Sequence, residues 1–273
     1  MALSGERIRQ LVLEAVRPHC GSPLFFSGGV DSSTLLAAML ALGDEPRCYT
    51  FTFGTKESED VLVARAICRH FGLRQTVVHV PSGLEAVERD VREAVRLIGR
   101  KPLKTHVQCG IPFMHLAWAA RSDGFSKAVS GITADDILGT SKNAIIARAK
   151  GGEKAYAEHR RKDAENPNNS FFSCARIASA CGVEVVAPYK NEALREALLG
   201  MTFDELHKPR KKSALLKAFP EFWAQGSWYR PNKNLQIVSG LRDYHDRLLQ
   251  SPLNRRSHKS VAGIYSDIYE GRV

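Results

Sequence analysis

Ser27-Gly28-Gly29-Val30-Asp31-Ser32-Ser33 lies between a short apolar run, Pro23-Leu24-Phe25-Phe26, and a longer one in which Leu35, Leu36, Met39, Leu40 and Leu42 recur at helical spacing. The first run is too short for a helix and rich in strand formers, so it reads as a buried strand. The second reads as a helix whose first turn Asp31 or Ser32 is placed to cap. Strand, glycine pair, hydroxyls and the positive end of a helix, in that order, make a cradle for a phosphate group: the glycines let the backbone approach, and the amides and dipole favour an anion. Asp31 does not suit a bare anion cradle, because a carboxylate repels phosphate oxygens; its presence implies a Mg²⁺ between the two. No Lys follows the second glycine, so a Walker A loop is not implied. A tight turn with a helix cap is the simpler reading of an isolated glycine pair, and the full order of elements argues against it here.

Outward from this turn, residues 6–17 read as a helix ended by Pro18, 47–53 as a strand closed by Gly54, 58–71 as a helix, 75–80 as a strand and 84–99 as a helix. Such alternation predicts βαβ crossovers, hence a doubly wound parallel sheet with helices on both faces and ligands at the C-terminal ends of the strands. A helix over 111–121 leads to a second strand-to-turn junction, a strand over 126–130 followed by Gly131-Ile132-Thr133-Ala134-Asp135-Asp136-Ile137-Leu138-Gly139. Two such turns on neighbouring strands would let Asp31 and Asp135 share a metal bound to a triphosphate. Taken alone, Asp135-Asp136 reads better as an acidic pair at a helix N-terminus.

Ser27–Ser33 resembles the SGGxDS signature of the PP-loop ATP pyrophosphatases, and Ser130–Gly139 is similar to the SGEGADELFGG stretch of asparagine synthetase and β-lactam synthetase domains. The resemblance implies that Ser27, Gly28, Gly29, Asp31, Ser32, Ser33, Ser130 and Gly131 surround ATP, that Asp31 and Asp135 hold Mg²⁺, and that Asp136 takes the acidic position after the metal ligand. It also implies that the strand end Phe51, Thr52, Phe53 and Gly54 lines the adenine site; from composition alone, Phe51 and Phe53 read as core. This chain departs from the pattern at Ile132 and Thr133, which replace Glu-Gly, at Asp136, shorter than the usual Glu, and at Thr140, which replaces a second Gly.

Further on, Lys212 with Leu215 matches the family's K-x-x-L, and Arg230, Lys233 and Gly240 match R-x-x-K-x-x-x-x-x-x-G, whose lysines close over pyrophosphate; Lys211 is the alternative to Lys212 one register away. A lysine at a helix start is unfavourable unless an anion is nearby. The expected layout is an α/β PP-loop domain over residues 1–190, a helical C-terminal subdomain over 191–250 and a basic tail over 251–273. The expected reaction is ATP-dependent amide formation: a small carboxylate is adenylated, then attacked by a nitrogen nucleophile. Ala2 stands where glutamine-dependent members carry Cys, so the expected nitrogen source is free ammonia, an amine, or ammonia from a separate protein. Two alternatives remain open, a PP-loop enzyme adenylating a nucleobase or a tRNA- or DNA-linked substrate, and a non-catalytic nucleotide-binding regulator.

The 273 residues, 44% hydrophobic, can bury a full core, and no apolar run is long enough for a transmembrane helix. Charges near the start argue against a signal peptide, so a cytoplasmic protein is expected. The cysteines at 20, 48, 68, 109, 174 and 181 form no CxxC and read as reduced thiols, with no base in view for Cys109. His106 and His115 read as surface or hydrogen-bonded core residues. Net charge is +10, with 13 Lys and Arg against 7 Asp and Glu after residue 200; a nucleic-acid partner and a solvated basic surface are both compatible with it, and no RRM, KH, zinc-finger or helix-turn-helix signature is present. Residues 149–170 read as a polar surface excursion near the site, with one helical patch over 153–164.

Overall fold

In the computed structural model, which describes residues 4–167, 169–229 and 241–273, five parallel strands form one sheet. They are β1 (Leu24–Phe25), β2 (Cys48–Phe53), β3 (Gln75–Val80), β4 (Lys127–Ser130) and β5 (Glu184–Val186), in the order β3-β2-β1-β4-β5. The helices that concern the site are α1 (Gly5–Val16), α2 (Val30–Ala41), α3 (Glu59–His70), α4 (Leu84–Ile98), α5 (Lys104–Ser122), α6 (Ala134–Leu138), α7 (Lys142–Glu165), α8 (Ser170–Ala180), α9 (Glu192–Leu199), α10 (Phe203–His207) and α11 (Ser213–Ala218).

Alternate residues of the central strands enter different cores, as a sheet covered on both faces requires. Leu24, Phe26, Cys48 and Val129 pack with Leu11, Leu35 and Ile67 of α1, α2 and α3. Phe25, Tyr49 and Ala128 pack with Leu116, Ala120 and Ala178 of α5 and α8. The doubly wound parallel sheet is therefore present, and its order reverses at β1, with β2 on one side and β4 on the other. Phe25 pairs with Ser130, so the turns that leave β1 and β4 emerge side by side at the C-terminal edge. Ala214, Leu215, Ala218 and Phe219 of the helical C-terminal half join the same core as α1 and α2.

Local detail adds to the expected layout and corrects the start of one helix. The helical patch expected over 153–164 is present as the second half of α7, whose first half Ser141 caps, accepting from the Ala144 amide at 3.1 Å, and the expected break falls at Gly151-Gly152, where both residues leave the helical conformation. The second half is anchored by the fully buried Tyr156 and Arg160. Helix α5 begins at Lys104, seven residues before the expected start, and carries Pro112 within it. The basic tail over 251–273 contains a helix, Val261–Tyr269, whose Val261, Ile264 and Tyr265 are buried against Val91 and Val95 of α4. Burying side chains of this size contributes about 1.5–3 kcal/mol each, sufficient to hold the segment on the body. The helix expected over 235–249 is described from Leu241 onward, as Leu241–Asp246 followed by a 3₁₀ turn, Arg247–Gln250.

Candidate active site

At the end of β1 the chain turns through Gly28, whose φ of +72° and position against α3 exclude a side chain; a Cβ there would lie 2.9 Å from the Ala64 nitrogen. The turn is braced internally. The Ser27 amide donates to Ser32 Oγ at 3.3 Å, the Gly29 amide to Ser27 Oγ at 3.3 Å, and the Ser27 and Ser32 hydroxyls lie 3.1 Å apart. Gly29, and neither Asp31 nor Ser32, is the N-cap of α2, and no side chain caps this helix end. The expected cap is thus absent, leaving the positive end of α2 with no side-chain acceptor of its own.

The turn after β4 presses against this one. A Cβ on Gly131 would sit 3.0 Å from the Ser32 nitrogen and 3.3 Å from Asp31 Cβ, so glycine permits the contact. Thr133 follows at φ +82°, a conformation that costs a β-branched residue about 1–3 kcal/mol. Helix α6 then presents Asp135 and Asp136. It is clamped from behind by Arg160, which donates to the carbonyls of Ile137 at 2.8 Å, Met201 at 2.7 Å and Leu198 at 2.5 Å. Tyr156 adds a bond to the Leu138 carbonyl at 2.7 Å.

Lys212 joins the two turns. Its side chain is fully buried, and its Nζ lies 2.6 Å from Asp31 Oδ2 and 2.7 Å from Asp135 Oδ1. The anions that a lysine at the start of α11 requires are therefore these two carboxylates, and it is Lys212, not Lys211, that reaches them. Lys212 adopts φ +63°, and its amide donates to His207 Nδ1 at 3.1 Å. That bond leaves the His207 proton on Nε2, which faces the Leu138 carbonyl at 2.9 Å. Burial above all pushes His207 down to about 4, so it stays neutral. Tyr189 donates to the Asp31 carbonyl at 3.0 Å.

Charges here are unequal in character. Burial pushes Asp31 up to about 6, against the pull of Lys212 and with a smaller push from Asp135. Burial also raises Asp135, but Lys212 and a bond from the Thr140 hydroxyl outweigh it and hold that carboxyl below its ordinary value. Burial, then Asp163 and Asp135, push Asp136 up to about 7. On Lys212, burial is outweighed by the two carboxylates, which keep it charged.

A cleft of about 600 Å³ opens over the paired turns, lined by Ser27, Gly28, Gly29, Asp31, Ser32, Ser130, Gly131, Asp135 and Asp136 from the expected set. Phe51 also lines it, whereas Thr52, Phe53, Gly54 and Ser33 do not. Thr52 donates to the Lys56 carbonyl at 2.8 Å and Phe53 packs on Tyr244, 4.4 Å between ring centres; Tyr49 and Thr50 take their place on the wall. Arg230, Lys233 and Gly240 lie outside the described residues. His115 is bonded to the buried Asp90 at 2.7 Å, away from the cleft. Cys109 lines the cleft with its thiol pushed up to about 11 by burial, which makes it a poor nucleophile.

Arg160, Tyr156, His207 and Tyr189 had no signal in the linear sequence, since each lies far along the chain from the two turns and acts through a bond to their main chain. Asp31 Oδ1 is buried without a partner among the described residues, beside a second carboxylate. This donor set fits Mg²⁺, which takes one or two carboxylates and completes its shell from phosphate oxygens and water. No cluster of three or more metal-binding side chains occurs among the described residues, so phosphate and water oxygens would complete the shell.

A parallel sheet that reverses at β1, with a glycine-rich turn and an acidic turn abutting at its C-terminal edge, defines an ATP-using enzyme of the PP-loop class. Residues 7–170 match the family model described as asparagine synthase, and the chain belongs to that family. A stretch of 57 residues is 33% identical to 7-cyano-7-deazaguanine synthase of Thermoplasma acidophilum, covering 21% of this chain and 24% of that protein. The chain thus matches about a quarter of that relative's length. Among the described residues, no helix is long and apolar enough to cross a membrane.

Proposed function

We propose that the protein is an ATP-dependent carbon–nitrogen ligase that cleaves ATP between its α and β phosphates. An acceptor carboxylate oxygen forms a bond to the α-phosphorus while the α–β bridging P–O bond breaks, its electron pair leaving with pyrophosphate. A nitrogen nucleophile, either ammonia or an amine, then attacks the activated carbon. AMP departs with the C–O electron pair and the nitrogen loses a proton. Asp31 and Asp135 would hold Mg²⁺, which would supply charge neutralisation for the triphosphate. Ser27, Gly28, Gly29 and Ser32 orient the phosphates, Lys212 balances charge beneath them, and Asp136, near neutrality in its titration, suits the departing proton. Arg230 and Lys233 belong to the same proposal as cations for the leaving pyrophosphate. A separate ammonia-supplying protein would fit as the nitrogen source.

The observation that carries this reading is the junction of Asp31, Asp135 and Lys212 on two abutting turns at the switch point of the sheet. Exchange of labelled pyrophosphate into ATP, screened over carboxylic acids, amino acids and nucleobases, tests it. Exchange that depends on a carboxylic acid is expected; ADP as the product contradicts the chemistry.

A second reading places a nucleobase, free or within a nucleic acid, as the acceptor. The likeness over 57 residues to 7-cyano-7-deazaguanine synthase favours it, as do the aromatic wall of Phe25, Tyr49, Phe51 and Phe113 and the net charge of +10. Exchange with nucleobases or RNA and none with carboxylic acids would select it. Binding of Mg·ATP with no exchange for any acceptor would instead mark a regulator.

A further inference from the structure

Thr133 combines two features that a structural residue has no use for. It holds φ +82°, where a β-branched side chain is strained, and its Oγ1 is buried with no hydrogen-bond partner among the described residues. The residue is 7% exposed and lies on the wall of the cleft. It does not cap α6, whose first turn receives no side-chain bond. Glycine would relieve the strain and remove the orphaned hydroxyl together, so a threonine kept here implies a partner that arrives from the cleft.

The surroundings indicate which partner. Thr133 stands two residues before Asp135, on the turn that Gly131 packs against Asp31 and Ser32. The neighbouring hydroxyls are already engaged. Ser27 and Ser32 face each other at 3.1 Å, Ser32 lies 3.2 Å from the Gly29 carbonyl, and Ser130 accepts from the Ile132 amide at 3.3 Å. Ser33 Oγ and Thr133 Oγ1 are the hydroxyls of these two turns without a hydrogen-bond partner among the described residues, and of the two residues Thr133 lines the cleft while Ser33 does not.

We infer that Thr133 Oγ1 donates a hydrogen bond to a phosphate oxygen of the bound nucleoside triphosphate and of the pyrophosphate it releases, making Thr133 a phosphate-binding residue of this chain's second turn. The inference rests on the nucleotide reading above. The hydroxyl supplies a donor at the phosphate end that a glycine lacks, and the backbone strain is the consequence of placing it there.

Calorimetric titration with Mg·α,β-methylene-ATP, Mg·pyrophosphate and adenosine, together with thermal melts, tests this on wild type, Thr133→Gly, Thr133→Val and Thr133→Ser. The Gly variant should melt about 2–4 °C higher, because the strain is gone. It should nevertheless bind both phosphate-bearing probes about tenfold or more weakly, the loss of one bond to a charged acceptor. Thr133→Val should show the same weakening, Thr133→Ser should stay within about threefold of wild type, and adenosine should bind all four alike. Unchanged affinity of the Gly and Val variants for the phosphate probes overturns the role of Thr133 and leaves the nucleotide reading standing. An equal loss of adenosine affinity also overturns it, by showing a general collapse of the cleft. A wild type that binds neither phosphate probe overturns both.

Discussion

Asp31 and Lys212 lie 181 positions apart in the chain and meet at 2.6 Å, the ammonium fully buried and shared with Asp135. Without a metal, that one positive charge offsets two carboxylates on separate turns. Lys212→Met should lower stability by up to about 3 kcal/mol, the low end for a broken buried pair because Asp135 is still reached by water. Magnesium chloride should restore part of the loss in the variant and raise the wild-type melting temperature less. Thermal melts with and without Mg²⁺ check both effects.

Asp136 gives a pH signature. Its carboxyl is pushed up to about 7 in the folded protein, above the usual value, so between about pH 4 and 7 the folded state holds a proton that the unfolded chain has released. This group therefore works against stability increasingly as pH rises through that window. Asp136→Asn removes the effect, and its stability relative to wild type should climb from pH 4 to pH 7. His207, lowered to about 4, has the opposite slope over part of the range, and the difference between the two proteins cancels it. Urea denaturation at a series of pH values reads the difference directly.

Arg160 donates to three carbonyls from a fully buried position and ties α6 to the end of α9 and the loop that follows it. Arg160→Met leaves those carbonyls without the donor and should cost about 3–5 kcal/mol. Arg160→Lys, with no fork to span three acceptors, should recover only a minor part. Equilibrium denaturation measures both.

Gly131→Ala would place a methyl group 3.0 Å from the Ser32 nitrogen and force the two turns apart by a few tenths of an ångström. Its expected effect is on the site more than on the fold: a loss of Mg²⁺-dependent ATP affinity of about tenfold, with a melting temperature within a few degrees of wild type. Titration in the presence and absence of Mg²⁺ distinguishes this from a general loss of binding.

The sheet was legible in the sequence because its strands carry local signals, namely apolar runs of strand length closed by turn residues such as Gly54 and Gly131. Asp31 and Asp135 were legible for the same reason, each standing beside its own glycine-rich turn. The bracing beneath them was not. Arg160 looks like one more charge in a polar helix until tertiary packing brings three carbonyls to it, and His207 gains meaning only when the Lys212 amide meets its ring. Gly151-Gly152 was legible as a break in helical propensity, and the burial of Tyr156 and Arg160 holds the helix beyond it. The C-terminal helix was weak in local pattern and is held by contacts with α4. At the strand end, Tyr49, Thr50 and Phe51 line the cleft because β2 continues past its edge toward Tyr244, which carries Phe53 away from it.

The proposed ligase breaks ATP between its α and β phosphates and at no other bond. Phosphorus NMR of the purified protein with Mg·ATP, hydroxylamine and a mixture of carboxylic acids would show it directly. Resonances of AMP and pyrophosphate, lost in Asp31→Asn and Asp135→Asn, are the predicted result. Accumulation of ADP and inorganic phosphate would rule out α–β cleavage.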